Sequence, residues 1–104
     1  MLQLMVLYPQ PGNAQQFEED YTKHIAFLHE KTGIPTSVKP YTVTKFLPTP
    51  EGKPAAFYLM FTMPFDSAET LQATMSSAGM QEVAKDANRI STGGAPTILI
   101  GTAE

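Results

Sequence analysis

Two segments of the chain have the composition of β-strands but lack a polar face. Leu2 to Tyr8 places Leu2, Leu4, Val6 and Tyr8 on one side and Met5 and Leu7 on the other, because successive strand side chains point to opposite faces. Ala55 to Met63 carries the run Phe57-Tyr58-Leu59-Met60-Phe61, apolar on both sides. A sheet with one face in water alternates apolar and polar residues along its strands. These segments do not, so the sheet they form needs cover on both faces.

The remaining segments supply cover for one face. Asn13 is placed to cap a helix, with Gln16 three residues on completing a capping box. That helix runs to about Lys31, Gly33 suits the position just past its end, and Pro35 prevents continuation. At about 100° per residue, Phe17, Tyr21, His24 and Leu28 form one stripe that should face a core. Val38 to Leu47, with Tyr41, Val43 and Phe46, reads as a second strand, and Pro48 to Pro54 as a loop. Asp66 followed by Glu69 reads as a second helix start. Ser76 to Gly79 should bend or break that helix, with Ser77 capping a second piece to about Ile90 that turns Met80, Val83, Ala84 and Ala87 inward. Thr92 to Pro96 is a break, and Thr97 to Gly101 a last strand. The order β-α-β-β-α-β predicts one α+β domain over residues 1–104. It has the ferredoxin-like arrangement, a four-stranded antiparallel sheet with its helices on one face. A second copy of the sheet, related by a two-fold axis, would cover the other face, so the expectation is a homodimer forming a dimeric α+β barrel.

Composition narrows the function. The net charge is −3 with no basic run, which argues against nucleic acid or an anionic membrane as partner. No apolar stretch reaches the ~18 residues of a membrane span. Met1 leads straight into strand-like residues without a basic start or a cleavage site, so the expected compartment is the cytoplasm. Cysteine is absent, which removes disulfides, thiolate nucleophiles and cysteine metal sites. HExxH, the P-loop, the dinucleotide fingerprint and the nucleophile elbow are absent too, and Gly93-Gly94 is a turn signal. His24 and His29 point about 140° apart on their helix, so no shared metal is expected.

Three residues could carry chemistry. His24 is either a core histidine bonded to a carbonyl or hydroxyl, or a neutral imidazole in a pocket acting as acid, base or anchor. Tyr21, one turn earlier, is either a packed aromatic or a hydroxyl donor to a substrate oxygen. Asp86 is either a surface carboxylate paired with Arg89 or a group reaching the first helix to orient His24 or activate water. Tyr8, Phe17, Phe46, Tyr58 and Phe61 are candidates to line an apolar pocket, with the six methionines as adaptable fillers. Glu18, Glu19 and Asp20 read as the wet face near the positive end of the helix.

Leu7-Tyr8-Pro9, then Phe17-x-x-x-Tyr21-x-x-His24, then Asp86-x-x-x-Ile90-x-x-Gly93-Gly94, resemble the EthD family, named for ethyl tert-butyl ether degradation. Members usually follow the helix histidine with proline and leucine, whereas this chain has Ile25-Ala26-Phe27-Leu28. The resemblance implies a dimeric α+β barrel with Tyr21, His24 and Asp86 at its site. It also implies an oxidoreductase-associated role in breaking down ethers or aromatic compounds, beside a cytochrome P450 system that performs the oxidation. Relatives in the same superfamily include cofactor-free monooxygenases, isomerases, cyclases and haem enzymes, and fold does not choose among them. Two functions follow as expectations. One is a cofactor-free enzyme on a small apolar, oxygen-bearing metabolite. The other is a non-catalytic ligand-binding or accessory protein to an oxygenase, and haem binding by a histidine is a weaker third.

Overall fold

A computed structural model describes residues 1–103. The elements are β1 (Leu2–Pro9), α1 (Ala14–Thr32), β2 (Thr42–Lys45), β3 (Phe57–Phe65), α2 (Ala68–Ser76), α3 (Ala78–Ile90) and β4 (Thr97–Thr102). The strands form one antiparallel sheet in the order β2-β3-β1-β4. This is the ferredoxin-like α+β arrangement, with the second helix in two pieces. Ser77 serves both, closing α2 and capping α3 through its hydroxyl, which accepts from the Met80 N–H.

Register decides which side chains face the helices. Leu4 lies opposite Met63 and Ile100, Val6 opposite Phe61 and Ile98, and Tyr8 opposite Leu59. Most of this set packs with Phe17, Tyr21 and Leu28 of α1 and with Met80, Val83, Ala87 and Ile90 of α3 to form the core. On the opposite face, Met5 meets Thr62 and Leu99, and Leu7 meets Met60 and Thr97. The second apolar face is therefore narrower than the sequence suggests: a patch of Met5, Leu7, Met60 and Leu99 bordered by threonines. Tyr58 leaves it because a bulge where Pro9 pairs with Phe57 makes Tyr58 the extra residue. A bulge re-aims its residue, and Tyr58 packs edge-on to Phe17 at 5.5 Å.

Several boundaries differ from the sequence reading. β2 spans Thr42–Lys45 instead of Val38–Leu47. It is an edge strand, and Pro40, which has no N–H, precedes its short pairing with β3. β3 continues past Met63 through Pro64 to Phe65, because β2 ends opposite Thr62 and leaves β3 a single neighbour there. The cap of α2 is Ser67 and not Asp66: its hydroxyl accepts from the Thr70 N–H at 3.1 Å. Asn13 caps α1 as expected, but the Gln16 side chain turns to Asp20, so the capping box is half made. Glu18 is not simply solvated, since it pairs with Lys45 at 2.7 Å and accepts from the Tyr58 hydroxyl.

Two glycines allow close approaches. A Cβ on Gly79 would lie 2.3 Å from the Lys31 carbonyl oxygen, where α3 starts against the end of α1. A Cβ on Gly93 would lie 1.9 Å from the Gln10 carbonyl oxygen, so Gly93 is more than a turn signal: it seats the loop before β4 on the loop after β1. Gly93→Ala is expected to lower unfolding stability by about 1–3 kcal/mol. Gly12→Ala, whose Cβ meets nothing within 4 Å, should stay within about 0.5 kcal/mol of the parent. Urea denaturation of the two variants checks this, and equal effects would contradict it.

Candidate active site

The site grows from the apolar stripe of α1. Phe17 and Tyr21 stack at 5.8 Å, and Tyr8 of β1 meets both edge-on at 5.4 and 5.7 Å. His24 follows one turn on, 5% exposed. Its Nδ1 lies 2.8 Å from Asp86 Oδ2, reached from α3. The other carboxylate oxygen, Oδ1, accepts from Arg89 Nε at 2.8 Å and forms an ion pair with Nη2, also at 2.8 Å. Asp86 therefore contacts both residues the sequence named for it. It pairs with Arg89 outward and with His24 inward.

The charge states follow from these contacts. Burial lowers the His24 pKa below its ordinary 6.5, outweighing the hydrogen bond and charge of Asp86, which raise it, while Arg89 lowers it further. Burial alone would raise the Asp86 carboxyl, but the hydrogen bonds from His24 and Arg89 outweigh it and hold the group below its ordinary 3.8. At neutral pH the pair is therefore a carboxylate and a neutral imidazole. A carboxylate only accepts, so the His24 proton sits on Nδ1. Among the described residues nothing hydrogen-bonds Nε2, which carries the free lone pair. Burial, with the charge of Asp86 added, pushes the Tyr8 phenol far above its usual range, so it remains a hydroxyl.

His24 and Tyr8 line a cavity of about 50 Å³ between the sheet and the helices. The rest of its wall is almost wholly apolar, with Leu4 and Val6 from β1, Leu28 from α1, Met75 from α2, Met80, Val83 and Ala87 from α3, and Ile98 from β4. Of the other pocket candidates, Phe61 is in the lining, and Phe17, Phe46 and Tyr58 are not. Phe17 is spent on the aromatic cluster, Tyr58 reaches Glu18, and Phe46 sits half-buried just past β2, its N–H donating to the Tyr58 carbonyl. Tyr21 is buried beside His24, and its hydroxyl is the one buried side-chain polar atom without a partner among the described residues. No group of three or more His, Cys, Asp and Glu there could hold a metal ion. No helix is long and apolar enough to cross a membrane.

His29 was not singled out as a site and turns out to be buried as well. Its Nδ1–H donates to the Ile34 carbonyl at 3.1 Å and its Nε2 accepts from the Tyr41 hydroxyl at 2.7 Å. A histidine in the last helical turn before a glycine was the signal available in the sequence, since that position can satisfy chain-end carbonyls.

This site stands on a ferredoxin-like domain whose relatives are recognisable. The EthD domain profile matches residues 10–93. A crystal structure of an EthD family protein from Bacillus halodurans is 31% identical, with a TM-score of 0.83 over 100% of this chain and 99% of that one. An EthD-like protein from Ralstonia eutropha is 27% identical, with a TM-score of 0.67 over 96% and 88%. A dimeric ferredoxin-like protein of unknown function from Jannaschia, 12% identical with a TM-score of 0.72 over 98% of both chains, shares the fold. No curated protein matches the chain. The chain belongs to the EthD family.

The depressed pKa of His24 has a consequence for stability. The unfolded chain takes up a proton near pH 6.5 that folded His24 refuses, so stability falls on acidification through that range. Asp86 adds a second loss as pH falls through and below 3.8. The thermal midpoint is expected to drop between about pH 7 and 5, and His24→Gln should flatten that segment. An equal slope in parent and variant would contradict the assignment.

Proposed function

We propose that this protein acts in small-molecule catabolism, on an ether or aromatic route. It binds an apolar, oxygen-bearing metabolite in the cavity beside His24 and moves a proton on it without a cofactor. The observation that carries this reading is the 2.8 Å His24–Asp86 pair set against a wall that is apolar apart from Tyr8 and Asn88. A neutral, desolvated imidazole is a competent base, and the adjacent carboxylate stabilises the imidazolium that forms. Nε2 would take a proton from the bound metabolite and return it to another of its atoms, so the enzyme ends unchanged. Tyr8 would donate to the oxygen that gains charge. Tyr21 packs beside His24 from the preceding turn, outside the cavity lining. Such proton transfer serves isomerase and cyclase chemistry directly. An oxidoreductase-associated role would draw its oxidation from a partner oxygenase such as a cytochrome P450 system.

A homodimer is part of the proposal. The patch of Met5, Leu7, Met60 and Leu99 on the helix-free face needs cover, and structures sharing this fold include ones described as dimeric. In sedimentation the parent chain is expected as a dimer and Met60→Lys as a folded monomer. A monomeric parent would remove the barrel.

One observation favours a second reading, a ligand-binding or accessory protein. His24 is the only His, Asp, Glu, Lys or Arg in the cavity lining, and one such group is enough to hold a ligand. Turnover of candidate alcohols, phenols and ethers by purified protein separates the two. His24→Ala should cut the rate by about 10²–10⁴-fold while keeping the parent's circular dichroism and oligomeric state. Saturable binding with no turnover by the parent would instead favour the binding role, and an unfolded variant would make His24 structural.

A further inference from the structure

Inside the same helix the chain already shows what a histidine of this kind bonds to. His29 and His24 have the same pattern at Nδ1, whose hydrogen goes to an oxygen acceptor: the Ile34 carbonyl for one and the Asp86 carboxylate for the other. At His29 the remaining nitrogen accepts from a phenol hydroxyl, Tyr41 Oη, at 2.7 Å. At His24 the remaining nitrogen has no partner among the described residues, and the residue lines the cavity. We infer that the cavity takes ligands that present a hydroxyl on an apolar body to Nε2 of His24, and that Arg89 is the positioning residue that enforces this choice through Asp86.

The argument for Arg89 is geometric. Both of its contacting nitrogens engage Oδ1 of Asp86, leaving Oδ2 to His24. A carboxylate held ionised in this way can only accept, which places the His24 hydrogen on Nδ1 and the lone pair on Nε2. Without that hold a protonated Asp86 could donate to Nδ1, and Nε2 would become the donor. The other charged and titratable groups around the pair are Tyr8 from β1, Tyr21 and Lys31 from α1, and Glu82 and Lys85 from α3. Lys31 is engaged by Glu82 at 3.1 Å, which leaves Arg89 as the cation in contact with Asp86.

The ligand class follows from the lone pair. A ligand that fills the cavity shuts Nε2 off from water, and an acceptor sealed in without a partner is costly, so the site rejects analogues lacking the hydrogen. Phenols, alcohols and enols carry it, whereas an unmodified ether or a simple ketone has none to give. The reaction that supplies this site is therefore one that unmasks a hydroxyl, by hydroxylating or cleaving a precursor, and the precursor itself is excluded. This inference rests on the reading of the cavity as a ligand site.

Nitrogen-15 NMR of the two imidazoles, with and without phenol or anisole, tests it. Anisole differs from phenol by a methyl group on the oxygen. Both histidines of the parent are expected as Nδ1–H tautomers near neutral pH. Phenol should shift Nε2 of His24 saturably, with anisole at least about tenfold weaker. Arg89→Gln should mix the His24 tautomers and reduce the preference for phenol to under about threefold. Arg89→Lys should restore part of it, and His29 should stay unchanged as the internal control of fold. An Nε2–H tautomer in the parent overturns the inference. Anisole binding as well as phenol overturns the ligand class while the cavity stands as a ligand site, and binding of neither removes both. An Arg89→Gln protein indistinguishable from the parent overturns the role of Arg89.

Discussion

The close approach of α1 and α3 sets the span that Asp86 and His24 bridge. Gly79 begins α3 directly against the Lys31 carbonyl, where no side chain would fit. One and two turns further, Val83 and Ala87 are buried in the core. Asp86 is adjacent to that inward face, half in and half out. A carboxylate placed there can meet a buried imidazole on one side and a solvated guanidinium on the other. The site is a by-product of how two helices share one sheet face.

The two histidines of α1 show how a single element can leave one imidazole satisfied at both nitrogens and the other open at one. Both are buried, and both direct Nδ1 to an oxygen. The difference is what lies beyond the ring. At His29 the chain folds back after Gly33, and Tyr41 closes the second nitrogen. At His24 the second nitrogen borders a cavity between β1 and α3. A satisfied ring contributes to stability and stops there, while an unsatisfied one can exchange partners.

Much of the fold was legible because periodicity is local. The stripe Phe17, Tyr21, His24, Leu28 is buried as its spacing requires, and Ser77 divides the second helix where the small residues cluster. What failed depended on neighbours distant in sequence. The ends of β2 are set by how far β3 accompanies it, and the turning of Tyr58 depends on a bulge opposite Pro9. The cap at Ser67 was missed by one residue because Asp66 and Ser67 are both good caps, and only backbone position chooses. Likewise His24 and Asp86 are 62 positions apart. Residue types nominated them, but their distance is a property of the packed helices. The methionines offered as pocket fillers include Met75 and Met80 of the lining, whereas the lining role of Ile98 carried no sequence signal, since an aliphatic residue beside a cavity looks like any core residue.

Charge placement completes the logic of the site. The lining holds one neutral imidazole, a phenol and the amide of Asn88, and the full charges of Asp86 and Arg89 stand behind the imidazole, outside the lining. Burying the carboxylate alone would be costly. Spreading its contacts between a buried donor and a surface cation keeps it ionised while only 18% of its side chain is exposed. Arg89 itself stays largely in water, at 60% exposure, so no charge is stranded. The imidazole thereby gains the electrostatic support of an ion pair while the polar groups of the lining stay neutral. On the proposed function, an apolar molecule would meet no full charge there, and its polar end would face Nε2 of His24.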